Sequence, residues 1–266
     1  MSDERRGAAG PMRETLSQVI EEMTGSVQPD LTDAQIRAHR EVSEADARRE
    51  KERWMSRPAL ESWLERAGVP SRHRSLITDL SLLPREIDHW GREVLREGVE
   101  DTLRRTSCVL AGKPGTGKTS SAIWMMKNVY RSTQVRVRMR IRDGAGGPPG
   151  HSVEFVPPSC LFVSVPDLFA AVFDRRPMDR YERCELLVLD DWGMAYETDW
   201  PLSVIDRLID HRWSERLATV VTTNLQPFER HGGEESFEAR YPRVFSRLRD
   251  GIPGLVPIAG PDMRGE

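Results

Sequence analysis

The residues best suited to chemistry form one short motif, Gly112 to Thr119, whose spacing Gly-x4-Gly-Lys-[Ser/Thr] follows directly on an apolar run. Its glycines let the backbone curve closely enough for N–H groups to face phosphate oxygens. The Lys118 ammonium would contact the β- and γ-phosphates of a nucleotide, and the Thr119 hydroxyl would bind Mg²⁺. The sequence therefore predicts an ATP site formed by Gly112, Lys113, Pro114, Gly115, Thr116, Gly117, Lys118, Thr119 and Ser120.

Two neighbouring carboxylates follow a second apolar run, 186–189, further along the chain. A continuous run of this kind is typical of a strand that is buried on both faces of a sheet. Taken alone, Asp190 and Asp191 are better explained by a turn or a helix cap. Paired with the glycine-rich loop, they indicate a Walker B motif, in which Asp190 holds Mg²⁺, directly or through water, and Asp191 polarises the attacking water.

A third apolar run, 217–223, ends at Asn224. The amide of this residue could orient a water molecule or sense the γ-phosphate, and its position resembles sensor I of AAA+ ATPases. The alternative is a simple turn before the Leu-Gln-Pro segment that follows. The two motifs upstream favour the sensor role.

Arg247 lies in a Ser-Arg-Leu triplet that resembles the arginine-finger box of the initiator and helicase-loader branch of AAA+ proteins. The resemblance implies that Arg247 neutralises charge on the γ-phosphate bound by a neighbouring subunit, so that the active species is an oligomer. Arg243 is a second candidate for the same role. An ordinary amphipathic basic helix that faces solvent is the alternative.

The wider resemblance is to the DnaC/IstB family of AAA+ ATPases, which contains bacterial and phage helicase loaders and transposition helper ATPases. Its matches are the Ala-Gly-Val-Pro segment within 64–72, a strand and helix start at 161–168, the stretch 181–193, and the run through Arg247. The resemblance covers roughly residues 58–260. It implies an ATP-hydrolysing core with a P-loop three-layer α/β fold, a central parallel sheet and no C-terminal helical lid domain.

The elements that must position these motifs alternate along the chain. Four apolar segments predict strands: 108–111, 160–165, 186–190 and 217–223. Strands that alternate with helices are typical of a parallel sheet covered on both faces, with nucleotide at the carboxyl ends of the strands. Because Gly112, Asp190 and Asn224 all follow strands, we expect them at one edge of the sheet.

Outside the strands, the chain divides into unequal parts. The sequence predicts that residues 1–57 form a charged, partly disordered and partly helical N-terminal extension that binds a partner. It predicts the ATPase core over 58–260 and a tail over 261–266. Short helices are predicted at 58–68, 71–83 and 84–97.

A stretch longer than the family core needs, 131–158, predicts a β-hairpin insertion. In it, arginine alternates with apolar residues at Arg136, Arg138, Arg140 and Arg142. Arginines spaced about 7 Å apart on one strand face could follow the phosphate backbone of single-stranded DNA. The alternative is an edge strand that its charge keeps soluble.

The composition limits the remaining possibilities. A net charge of -3 over 266 residues argues against binding of nucleic acid by the whole surface, so any contact with DNA must be local. The three cysteines have no metal-binding spacing. No apolar run approaches 18 residues, so we expect neither a membrane span nor a secretion signal, but a cytoplasmic protein encoded by a bacterium or by a phage in a bacterial host.

These observations predict an ATP-dependent homo-oligomer that binds a replicative DnaB-type helicase and delivers it to single-stranded DNA. One alternative is an IstB-like transposition helper ATPase that assembles on duplex DNA. A second is a binding switch that ATP gates with little hydrolysis.

Overall fold

The computed structural model describes residues 57–74, 83–97, 99–132, 140–141, 151–152, 157–193, 199–228 and 236–262. The predictions for the N-terminal extension, for Arg136, Arg138 and Arg142, and for the side chain of Arg140 lie outside the described residues. So do most of the second predicted short helix and the end of the tail.

The described helices are α1 (Arg57–Arg66), α2 (Ser71–Arg74), α3 (Arg85–Glu97), α4 (Val99–Leu103), α5 (Lys118–Ser132), α6 (Val165–Phe173), α7 (Asp179–Arg183), α8 (Asp199–Ser214), α9 (Phe237–Arg240) and α10 (Pro242–Arg249). The strands are β1 (Thr106–Ala111), β2 (Arg140–Ile141), β3 (His151–Ser152), β4 (Cys160–Ser164), β5 (Leu186–Trp192), β6 (Ala218–Thr223) and β7 (Ile252–Pro257).

Five of these strands form one sheet in the order β4-β5-β6-β1-β7, and every neighbouring pair is parallel. The four predicted strands are all present, with ends that differ by a few residues. Parallel neighbours need crossover connections, and helices supply them here. The predicted α/β fold class, with a central parallel sheet, is therefore confirmed.

The fifth strand, β7, is one that the sequence pattern did not predict. It begins Ile-Pro-Gly, and proline and glycine usually weaken a strand. The structure tolerates Pro253 because β7 lies at the edge of the sheet. A strand at the edge has no neighbour on its outer side, so a proline there removes no hydrogen bond between strands. Gly254 has a φ of 72°, and a Cβ there would lie 2.7 Å from the carbonyl oxygen of Arg249.

Alternate residues of the central strands enter two separate apolar clusters, one on each face of the sheet. In β1, Cys108 and Leu110 pack with α1, α3 and α5, whereas Val109 and Ala111 pack with α6, α8 and α10. This alternation follows from the period of two along a strand. The described sheet and its helices therefore form three layers, and the central strands have apolar neighbours on both sides.

Between α5 and β4, two short strands of the predicted hairpin insertion are described. Arg140 and Ile141 pair antiparallel with Ser152 and His151. Because α5 continues to Ser132, the first two residues of the predicted insertion are helical.

A fully buried arginine joins the amino ends of two sheet strands. Arg212, near the end of α8, donates hydrogen bonds to the carbonyl oxygens of Tyr181, Cys184 and Ala218 and to the hydroxyl of Thr219. Burial lowers the pKa of its guanidinium. A buried cation is tolerated when its N–H groups have partners, so this arginine fixes α8 against the starts of β5 and β6.

The three cysteines of the chain are all buried, and none forms a disulfide bond. Burial raises the pKa of each thiol, Cys108, Cys160 and Cys184. The part of the chain that the structure describes holds no group of three or more His, Cys, Asp or Glu side chains placed to bind a metal ion. Within the same part, no helix is long and apolar enough to cross a membrane.

Candidate nucleotide site

The glycine-rich loop connects β1 to α5, so the motif lies at the carboxyl end of a central strand. Gly115 and Gly117 have φ angles of 80° and 92°, in the left-handed region that favours glycine. Lys118, only 7% exposed, donates hydrogen bonds to the carbonyl oxygens of Gly112 at 2.9 Å and Lys113 at 2.7 Å. These bonds hold the ammonium within the curve of the loop.

A continuous series of hydrogen bonds runs from the loop across the ends of two strands. Asp190 Oδ1 accepts from the hydroxyls of Thr119 at 2.9 Å and Thr222 at 2.7 Å. The Thr222 hydroxyl in turn accepts from the Asp191 N–H at 2.9 Å, and Asn224 Nδ2 donates to Asp191 Oδ1 at 3.1 Å. Residues more than 100 positions apart in sequence therefore meet at one edge of the sheet.

The two carboxylates have different surroundings. Burial raises the pKa of Asp190, although hydroxyl donation by Thr222 and Thr119 opposes that shift. Asp191 is exposed and has a φ of 62°, at a point where the pairing of β5 with β6 shifts register. A non-glycine residue in this conformation is strained, and such strain is frequent at functional sites.

The sequence pattern missed the two threonines that end β6. Thr222 bridges the two aspartates, and Thr223 Oγ1 donates to the carbonyl oxygen of Trp192 at 2.6 Å while accepting from the N–H of Leu225 at 3.1 Å. The signal was a pair of hydroxyl side chains at the end of an otherwise apolar strand, directly before Asn224. These hydroxyls fix where the chain leaves β5 and β6.

The chain after β7 runs along the glycine-rich loop. The Ile258 N–H donates to the carbonyl oxygen of Ala111 at 2.7 Å, and a Cβ on Gly112 would lie 2.1 Å from the carbonyl oxygen of Ile258. Further on, a Cβ on Gly115 would lie 1.8 Å from Asp262 Oδ1. The loop therefore has glycines at two positions where this segment approaches, and a carboxylate lies beside it.

The Ala-Gly-Val-Pro segment attaches α1 and α2 to β4, at an edge of the sheet. The Phe162 N–H donates to the carbonyl oxygen of Ala67 at 2.7 Å. Gly68 has a φ of 90°, and a Cβ there would lie 2.6 Å from the carbonyl oxygen of Phe162. The helix that follows carries His73, which is close enough to oppose the rise in the pKa of Asp190. No motif in the sequence indicated this histidine.

Arg247 does not join the other predicted site residues. From α10, its Nε donates to Asp210 Oδ1 on α8 at 3.0 Å, its Nη2 lies 3.0 Å from the same oxygen, and its guanidinium carbon lies 4.7 Å from the ring centroid of Trp213. Arg243 forms a similar ion pair with Asp206 at 3.0 Å. The structure thus brings together Lys118, Thr119, Asp190, Asp191 and Asn224, and places Arg247 on the face shared by α8 and α10.

The donor set beside the loop fits a magnesium ion, because hydroxyl and carboxylate oxygens are the ligands that Mg²⁺ prefers. Thr119 Oγ1 and Asp190 Oδ1 are separated by 2.9 Å. A phosphate-binding loop, a buried ammonium and this oxygen pair, on a parallel sheet with helices on both faces, define an α/β protein of the P-loop class.

No family model matches the chain, and no curated protein matches it. Among solved structures, the chain is similar to the DnaC helicase loader, with 20% identity over 64% of this chain and 86% of that one and a TM-score of 0.40. It is similar to DnaI, with 19% identity, 68% and 94% coverage, and a TM-score of 0.43. AMPPCP-bound DnaA from Aquifex aeolicus matches with 16% identity, 66% and 47% coverage, and a TM-score of 0.43. Because these identities and TM-scores are low, the family resemblance rests on the sequence motifs.

Proposed function

We propose that the chain is a magnesium-dependent AAA+ ATPase that acts in a homo-oligomer to load a replicative DnaB-type helicase onto single-stranded DNA. One observation supports the ATPase activity above all. The hydrogen bonds from Thr119 through Asp190, Thr222 and Asp191 to Asn224 unite three motifs that are distant in sequence, directly beside the phosphate loop. Strand ends that carried ordinary turns would have no reason to share such a network.

In this proposal, each residue of the network has a separate task. Thr119 and Asp190 hold Mg²⁺, and Lys118 faces the β- and γ-phosphates. The Mg²⁺ ion, when bound, withdraws charge from the transferred phosphoryl group. Asp191 is exposed and able to accept a proton from water, and Asn224 holds its carboxylate in place.

The hydrolysis step is tested by changing Asp191→Asn, which keeps the shape of the side chain and removes its basicity. Loss of a general base lowers the rate by a factor on the order of 100 or more. We expect phosphate release to fall by that factor while ATP affinity, measured by titration calorimetry, stays within about threefold of wild type. Full turnover by this variant would exclude Asp191 as the base, and a wild type that binds ATP without hydrolysing it would indicate the gated binding switch.

The loader role draws its support from the family resemblance of the sequence motifs. Its test is size-exclusion chromatography of the full chain with the replicative helicase of its own host or phage, with ATP, with ADP and without nucleotide. We expect co-elution that changes with the nucleotide. No complex in any nucleotide state would exclude the loader, and assembly on duplex DNA that requires ATP would then identify a transposition helper.

A further inference from the structure

The α8–α10 face carries two ion pairs that look alike in sequence and differ in their surroundings. On α8, Asp206 and Asp210 are one turn apart, and on α10, Arg243 and Arg247 are one turn apart, so the pairs are stacked as two rungs. Among the residues that the structure describes, the rung that contains Arg247 has an aromatic ring beneath the guanidinium, and the rung that contains Arg243 has none.

The surroundings of Arg247 restrict its side chain in two directions. Asp210 Oδ1 lies 3.0 Å from both Nε and Nη2, along one edge of the guanidinium, and the Trp213 ring covers one of its flat faces. The side chain of Arg247 is 30% exposed, against 69% for Arg243. Nη1 of Arg247 has no partner among the described residues, so one edge of the guanidinium remains available.

We infer that Asp210 and Trp213 are positioning residues, which hold Arg247 so that its available edge meets the γ-phosphate bound by a second copy of this chain. The inference rests on the proposed function, because it assumes that Arg247 acts across a subunit boundary. A free arginine side chain has many rotamers and loses that freedom when it is held in one position. When the side chain is already held before the reaction, less conformational entropy is lost in reaching the transition state.

Asp210 could instead inhibit Arg247, since its negative charge reduces the positive potential that the guanidinium offers to a phosphate. Geometry favours the positioning role. Asp210 occupies the Nε edge and leaves Nη1 available, so the guanidinium can bind an anion without releasing its carboxylate partner. Trp213 is 48% exposed, and a half-exposed aromatic beside an arginine is the composition that protein interfaces favour.

The test compares Asp210→Ala with Asp206→Ala, which removes the carboxylate of the other rung. If pre-orientation is lost, we expect Asp210→Ala to lower kcat for ATP about tenfold, because misplacing a catalytic group reduces rate by up to 100-fold. KM should stay within about twofold, since ATP binds to the loop of the same chain. Asp206→Ala should change neither value by more than about twofold, and Asp210→Glu should restore part of the rate.

Mixing variants separates positioning from a general structural effect. Asp210→Ala copies keep their own phosphate loop, and Lys118→Ala copies keep a normally held Arg247. If Asp210 acts through Arg247 on a neighbour, the mixture should turn over faster than the sum of the two separate proteins. In an Arg247→Ala background, Asp210→Ala should have no further effect.

Each other outcome counts against the inference. The positioning role would be overturned if Asp210→Ala hydrolysed ATP at the wild-type rate or faster. It would also be overturned if Asp206→Ala lost more activity than Asp210→Ala, or if mixing the variants gave no gain. This holds even if Arg247→Ala is inactive. A wild type whose turnover per chain is zero, or does not rise with protein concentration, would instead overturn the proposed oligomeric ATPase, and this inference with it.

Discussion

The carboxyl edge of the sheet and the α8–α10 face both concentrate charged residues, and they hold them differently. At the edge, Asp190 is partly buried and accepts two hydroxyl hydrogen bonds. On the helical face, Arg243 and Arg247 form ion pairs that solvent reaches. A buried polar group needs its partners for stability, whereas an exposed ion pair contributes about 0–1 kcal/mol. Substitutions at the edge should therefore affect folding and chemistry together, and those on the face should affect chemistry alone.

The largest effect should come from Lys118→Ala, which removes the buried ammonium from the phosphate loop. We expect ATP affinity to fall by a factor on the order of 100 or more, because one charge-assisted contact is worth about 1.5–3 kcal/mol and the loop also loses the bonds that hold its carbonyls. Titration with a fluorescent ATP analogue measures it. The control is Lys113→Ala: Lys113 belongs to the predicted site through its backbone, its side chain is exposed, and its truncation should change affinity less than about threefold. Equal losses in both variants would contradict a special role for the buried lysine.

Arg247→Ala should separate chemistry from stability on the helical face. We expect hydrolysis at high protein concentration to fall on the order of 100-fold, since removing an arginine that stabilises a phosphoryl transition state has effects of this size or larger. The free energy of unfolding should change by less than about 1 kcal/mol, because an ion pair that solvent reaches contributes little. Phosphate release and urea denaturation measure the two quantities. A strongly destabilised variant would show that the face is structural.

Thr222→Val, at the sheet edge, should lower the stability of the fold, in contrast to Arg247→Ala. It keeps the size of a buried side chain but deprives Asp190 of a donor and the Asp191 N–H of its acceptor. Leaving buried polar groups without partners costs about 1–3 kcal/mol, and we expect urea denaturation to show a loss of that size. Thr222→Ser keeps the hydroxyl and is the matched control. If the serine variant is as unstable as the valine variant, the methyl group and not the hydrogen bonds matters there.

The smallest effect should come from Asp262→Asn, which neutralises the carboxylate beside Gly115. A negative charge near the loop opposes phosphate binding, and through partly screened solvent its removal should raise ATP affinity about two- to threefold. Asp101→Asn makes the same change of charge on α4, before the amino end of β1, and should have no measurable effect. Weaker binding by Asp262→Asn would mean that this carboxylate assists the nucleotide.

What the sequence could predict follows from how local each signal is. The glycine spacing, the apolar run before Asp190 and Asp191, and the polar residue after 217–223 are each complete within about ten residues, and all three lie at the predicted edge. Their roles in catalysis stay predictions. Each of these signals combines side-chain type with the direction of a strand, which a parallel sheet converts into position.

The features that were missed depend on partners far along the chain. Pro253 and Gly254 argue against a strand until the edge position of β7 is known. Thr222 is an ordinary strand residue until its neighbour on β5 is an aspartate. Asp262 follows the last strand by five residues, and only the path of the chain along the loop brings it beside Gly115. Pairing between distant segments, and not local preference, decides all three.

The burial of every native cysteine makes the chain convenient for optical work. Because thiolates react and buried thiols stay protonated, maleimide dyes should label the folded protein poorly at its own cysteines. A single cysteine introduced at the exposed position 262 would therefore carry one fluorophore, a short distance from the phosphate loop. The colour and brightness of that dye would report in real time when the loop fills and empties.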